Sequence, residues 1–256
     1  MALGRYRDAA ARFDRAVGIA PDRPGGYLFQ SWLRLTSEEE IGPALDAIDA
    51  GWERAGEDQV FGLMGRYLSQ IDWWLTRVLS RDRRYRRLFG AADLLALGVD
   101  SAAHYLHRAQ FHRGAGDTER ARVYSDSARM VLEARVALHR ERDGDDATVL
   151  ERSRQAARLA HLGLAYAGLG READALAAAT EGVDHIPAGH DAVHGSEARI
   201  QLGLILGMLG ERERAIRHLA ATLAEPSSFR VEMLRHDPEL SSLLQDPRLR
   251  ALAVRR

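Results

Sequence analysis

Apolar and polar residues recur along most of the chain with the three-to-four-residue period of an amphipathic helix, and glycine turns separate the helices into pairs. The best-kept pair lies in residues 159–187, LAHLGLAYAGLG followed by READALAAATEGVDHIP. Gly163 falls on the first helix, Gly170 ends it seven residues later, and Ala175 follows after five more. Small residues at those places let two antiparallel helices come close together. Ala109, Gly116 and Ala121 repeat both intervals, with Ala128 on the stripe of Ala121, and Gly203, Gly210 and Ala215 repeat them again. Residues 2–21 predict a second helix that arrives without its first: Ala9, Phe13, Ala16 and Pro21 are spaced as Ala175, Ala179, Gly182 and Pro187 are. Such a helix leaves an apolar face that repeat arrays rarely expose, so a longer array is expected before Met1, or another chain over this helix.

Residues 27–35 predict the next first helix, entered after Pro24 and Gly25, and Ala44, Ile48 and Gly51 supply its partner. Here Trp32 stands where a small residue should face Ala44. Either Ser37 and Glu40 form a capping box and the helix kinks at Pro43, or the second helix starts at Gly42 with Pro43 in its first turn. Within 59–79, Val60, Met64, Tyr67, Ile71, Trp74 and Val78 specify one amphipathic helix, or a pair bent near Gln70. Asp117 is expected to cap a helix that runs unbroken to about Arg140; RERDGDDAT then turns the chain, and 147–169 returns antiparallel. Gly116 to Gly170 is a longer interval than Gly170 to Gly210, so this pair should project beyond the edge of the array.

In Leu162, Gly163, Tyr166, Ala175 and Pro187 the chain resembles the tetratricopeptide repeat, whose consensus asks for Leu-Gly, Tyr, Ala and a closing Pro. The resemblance implies an all-α, right-handed superhelical solenoid of antiparallel helix hairpins, whose first helices line a concave face that binds partners. In the small-residue register, Leu106, Gln110 and Arg113, then Ala160, Leu164 and Ala167, then Ile200 and Leu204 fall near that face. The expected organisation is one helical repeat domain over 1–256. It comprises the orphan helix (1–21), a repeat (22–56), an irregular repeat (57–99), three further repeats (100–146, 147–190, 191–225) and a capping tail (226–256).

The tail holds two Asp-Pro pairs, Asp237-Pro238 and Asp246-Pro247, each a helix start signal because Asp caps and Pro fits the first turn. It should fold back over the last repeat. Leu234, Arg235, Asp237, Pro238, Leu243, Asp246, Pro247 and Arg248 resemble the ending of repeat regions that follow bacterial eukaryote-like Ser/Thr kinase domains, or adenylate-cyclase and transcriptional-regulator domains. LGLAYAGLGREADAL, the Pro187 turn and HDAVHG also sit where those regions place theirs. The likeness covers about residues 100–256 and departs from the pattern at Leu240 and Leu249, where aromatics are usual. It implies an interaction or sensing module of a signalling enzyme whose catalytic domain lies outside these residues.

With 46% hydrophobic and 29% charged residues in 256, the chain is expected to fold around a substantial core. A formal net charge of -1 points to no global nucleic-acid or membrane partner. The absence of Cys excludes disulfides, thiolate metal sites and Cys nucleophiles, and suits the cytoplasm best. All basic residues are Arg, which reads as the coding bias of a GC-rich bacterium. The N-terminus is no signal peptide, and no apolar run approaches a membrane span.

Each chemical candidate has a structural alternative. His185, His190 and His194 crowd one turn with Asp184 and Asp191, as a metal site or as a surface turn. His104, His107 and His112 share a predicted helix, lining a groove or sitting at the core edge. Arg77, Arg81, Arg83, Arg84, Arg86 and Arg87 surround one Asp and Tyr85; they could contact nucleic acid, or be neutralised by acids at 38–40 and 143–146. Asp143, Asp145 and Asp146 begin like a Ca²⁺ loop that does not continue in register, and Trp73 and Trp74 read as core and rim. No phosphate loop, nucleophile elbow or catalytic carboxylate pair is present, so neither enzyme activity nor a cofactor is expected. The expected function is a non-catalytic scaffold holding a protein or peptide in the groove, with self-association through the N-terminal helix as a further mode. The alternative is an autoregulatory domain that binds its own kinase or cyclase domain.

Overall fold

A computed structural model of the chain describes residues 6–37, 41–56, 100–142, 148–186, 194–225, 231–234, 237 and 239–253. Among them the chain forms helices and turns and no strand. The regions 57–99 and 187–193, with the Arg77 to Arg87 cluster, Trp73, Trp74 and His190, lie outside the described residues, as do Asp143, Asp145 and Asp146. No described helix is long and apolar enough to cross a membrane. Two compact units divide the chain: Met1–Asp100 with Glu232–Asp237, and Ser101–Val231 with Pro238–Arg256.

In the first unit, α1 (Tyr6–Ile19) has no buried residue and leans on α2 (Pro24–Ser37), where Phe13 stacks on Phe29 at 5.4 Å. Gln30 Nε2 donates to Asp14 at 2.7 Å beside that stack. The second of the two boundary alternatives holds: α3 (Gly42–Ala55) starts at Gly42 with Pro43 in its first turn. The backbone carbonyl of Pro43 accepts from Arg34 Nη1 at 2.8 Å. Leu35 and Ile48 are fully buried between α2 and α3. The close approach comes from the second helix, because a methyl group at Gly51 would stand 2.9 Å from Tyr27 Cβ.

The second unit contains α4 (Ser101–Gly114), α5 (Thr118–Arg142), α6 (Val149–Gly168), α7 (Glu172–Asp184), α8 (His194–Met208) and α9 (Arg212–Ala224). Three of its turns share one geometry. Gly116, Gly170 and Gly210 all have φ between 74° and 81°, a left-handed conformation that glycine adopts without strain. After each, the next amide reaches back to the last helical turn: Asp117 N to His112 O at 2.9 Å, Arg171 N to Tyr166 O at 3.0 Å, and Glu211 N to Leu206 O at 2.9 Å. Satisfying the orphan carbonyls in this way is what ends the helices there.

Asp117 caps α5 by accepting from Arg120 N at 3.1 Å. Thr148 and Glu151 form a reciprocal capping box at the start of α6. Helices α6 and α7 run antiparallel. A methyl at Gly163 would lie 3.0 Å from Ala175 O and 3.2 Å from Ala179 Cβ; one at Gly182 would lie 2.9 Å from Ala156 O. Tyr166 ties α6 to α5 by donating to Glu133 at 2.7 Å; burial, then this bond, pushes its pKa up to about 12.

The tail departs from the expectation of two matched helices. Asp246-Pro247 opens α10 (Pro247–Ala253), and Asp246 accepts from Arg248 N at 3.0 Å. Bonds from Arg248 also hold the Asp246 carboxyl down at about 2. The residues after Asp237-Pro238 instead make a turn and a short 3-10 helix, Leu243–Gln245. Leu240 and Leu249, the two departures from the aromatic pattern, are fully buried.

Candidate functional site

Of the eight residues expected on the groove face, Leu106, Gln110, Ala160, Leu164, Ile200 and Leu204 are buried, with Ala160, Ile200 and Leu204 at 0% exposure. These six therefore do not line an accessible groove. The helical arithmetic put them on one stripe of each first helix, and in the folded chain that stripe packs inside. Arg113 and Ala167 are half-buried and retain solvent contact.

Arg113 is held by residues from three segments of the second unit. Its Nη1 forms an ion pair with Glu239 of the tail and lies 3.9 Å from Met208 Sδ on α8. Its Nη2 lies over Gly168 of α6, where a methyl group would stand 2.9 Å away and would also collide with Ser125 Oγ of α5. Gly168 is small because Ser125 Oγ and, next, the guanidinium occupy the space a side chain would take.

A second polar feature joins α6 to α8, and its register recurs on α4. His107, His161 and Gln201 each stand two residues before the small residue of their helix, Ala109, Gly163 and Gly203. Gln201 Nε2 lies 3.4 Å from His161 Nε2 and donates to Glu197 Oε1 at 3.3 Å. Glu197 is 7% exposed, and burial raises its carboxyl to about 8, so it is protonated at neutral pH. The sequence reading missed this row, although its register was already visible in the spacing that defines the repeats.

The three histidines of α4 take the core-edge role. His104, His107 and His112 are all buried. His112 stacks on Tyr124 at 5.3 Å and faces Asp117 at 3.5 Å. Burial lowers its pKa, and the charge of Asp117 offsets that only in part. Of the proposed metal trio, His185 ends α7, with its ring 4.0 Å from Glu181; His190 and the side chain of His194 lie outside the described residues. Among the described residues no group of three His, Asp or Glu could hold a metal ion.

An open depression of about 610 Å³ runs along Leu176, Ala177, Thr180, Glu181, Asp184 and His185 of α7. Arg140 Nη2 already engages both Glu181 oxygens, at 2.6 and 2.8 Å. On α5, Val123, Met130 and Leu138 are exposed. No protein-family model matches the chain, and no curated protein or solved structure matches it.

Proposed function

We propose that the chain is a right-handed solenoid of tetratricopeptide-like hairpins with a C-terminal cap, acting as a non-catalytic protein-interaction module of a bacterial signalling protein. The observation that carries this reading is the triplicate turn. Gly116, Gly170 and Gly210 end successive first helices with the same dihedral and the same back-bonded amide. Units built alike tend to stack alike, and stacked hairpins present one face of their first helices to a partner. Arg113 and Ala167 are the residues of the expected face that a partner can still reach. Binding by such a face needs no titrating nucleophile or cofactor.

A photo-crosslinking residue placed at Ala167 tests the reading against one placed at Thr180 on α7. The module should crosslink one partner from position 167 and not from 180. Crosslinks from 180 alone, or from neither position in cells that express the chain, would contradict it.

A further inference from the structure

The Arg113 seat is assembled without the tail. Gly168 forms its floor and Met208 its wall, both from helices of the second unit. Only the carboxylate comes from elsewhere, from Glu239, which is 126 positions away in sequence. The seat is not sealed, since the Arg113 side chain keeps 30% of its exposure and Glu239 keeps 17%. Beside it, Leu243 Cδ1 fills the place where a side chain at Gly207 would stand, 2.9 Å from that position. Gly207 and Arg113 occupy the same repeat position, four residues after Gly203 and Ala109 respectively. The tail thus lies on the reachable edge of the first helices in two places.

The segment that lies there is short, and Arg212 Nη2 of α9 also donates to its Ser242 carbonyl at 3.3 Å. Leu243 N and Leu244 N both donate to Leu240 O, at 2.9 and 3.0 Å, so Glu239 and the three leucines form one compact turn. An acid followed by leucines at the next, fourth and fifth positions places a carboxylate on the guanidinium while apolar side chains cover the glycine edge.

We propose that this seat is an exchangeable docking site: the tail fills it in cis, and an acidic, leucine-bearing segment of a partner protein takes the same place when the tail lifts. Charge complementarity and the fit of the cis segment define the occupant. A carboxylate on Arg is a strong, charge-assisted contact, whereas an amide in its place loses most of that strength. The inference rests on the partner-binding reading only for who supplies the segment, and the seat itself can be tested without that partner.

The probe is a fluorescent synthetic peptide of residues 237–246, DPELSSLLQD, titrated into the full chain. Glu239→Arg repels the tail from Arg113 and should bind the peptide at least about ten-fold more tightly than the wild-type chain. Adding Arg113→Gln to that variant should remove the gain, and so should a peptide with Gln in place of its Glu. If Arg113→Gln does not fold, as judged by circular dichroism, Arg113→Met supplies the same comparison by removing the charge and keeping a side chain of similar length. Equal peptide affinity for the wild type and Glu239→Arg would overturn the proposal, as would affinity indifferent to Arg113. A concentration-dependent dimer of the wild-type chain that Glu239→Arg dissolves would place the tail of a second copy in the seat and overturn the assignment to a partner protein. Failure of the crosslinking from Ala167 together with success here would leave the seat standing and remove only the partner reading.

Discussion

Two hairpins of this chain solve the same packing problem from opposite sides. In α6 and α7 each helix carries a glycine at the crossing: Gly163 meets Ala175 O and, as closely, Ile205 Cδ1, and Gly182 meets Ala156 O. In α2 and α3 the glycine is on the second helix alone, and Gly51 receives the Cβ and ring of Tyr27. A backbone oxygen cannot move without disturbing its helix, and Tyr27 Cβ, 2.9 Å from the place of a methyl at Gly51, is fixed to its own backbone, so only the ring beyond it can turn. Both crossings are therefore close, and a search for small residues on first helices misreads the α2–α3 pair as damaged.

The largest expected effects are at these two crossings. Gly182→Ala and Gly51→Ala should each cost about 2 to 3 kcal/mol in urea unfolding. A cost at Gly51 well below that at Gly182 would mean that α2 and α3 yield more easily than α6 and α7. Ala175→Leu, at a fully buried position on the α6–α7 crossing, should overpack it by about 2 kcal/mol; a neutral outcome would show the crossing to be looser than its distances.

Glu197 belongs to the same packed region. Its folded carboxyl holds a proton up to about pH 8, against an ordinary value of 4.5. The folded state thus binds a proton that the unfolded chain has lost. Stability must fall as pH rises through that window and level off above it. Glu197→Gln should remove this contribution, so its advantage over the wild type should grow between about pH 5 and pH 8, to the order of a few kcal/mol. A gap in melting temperature that stays constant with pH would place the carboxyl in water. The smallest effect is at the start of α6: Thr148→Ala loses the capping box and about 1 kcal/mol, and a Tm unchanged from the wild type would show that this end frays regardless.

The sequence carried the turns well, because glycine and the residues around it act locally. Gly116, Gly170 and Gly210, the cap at Asp117, the helix through Arg140 and the start at Gly42 could all be read or narrowed to two choices. Thr148 and Glu151 are legible too, as a capping box, and they set the start of α6 at Val149, two residues after the expected 147. Glu197 in a first turn reads as a solvated dipole partner, and only the helices packed around it make it a buried acid. The groove residues failed for a related reason. Periodicity says which face of a helix is apolar, and burial depends on what neighbouring segments lay over that face. The bond from Arg113 to Glu239 has no periodic signature at all.

If three copies of one hairpin stack in a row, spin labels on successive second helices must report an evenly stepped series of distances. The chain has no Cys, so labels can be placed without background at Arg120, Asp174 and Arg214, exposed residues three positions into each second helix. Pulsed electron resonance should give equal distances for 120 to 174 and for 174 to 214, and a longer one for 120 to 214. A distance from 120 to 214 no longer than the other two would mean that the hairpins close on one another, and the solenoid account would be wrong.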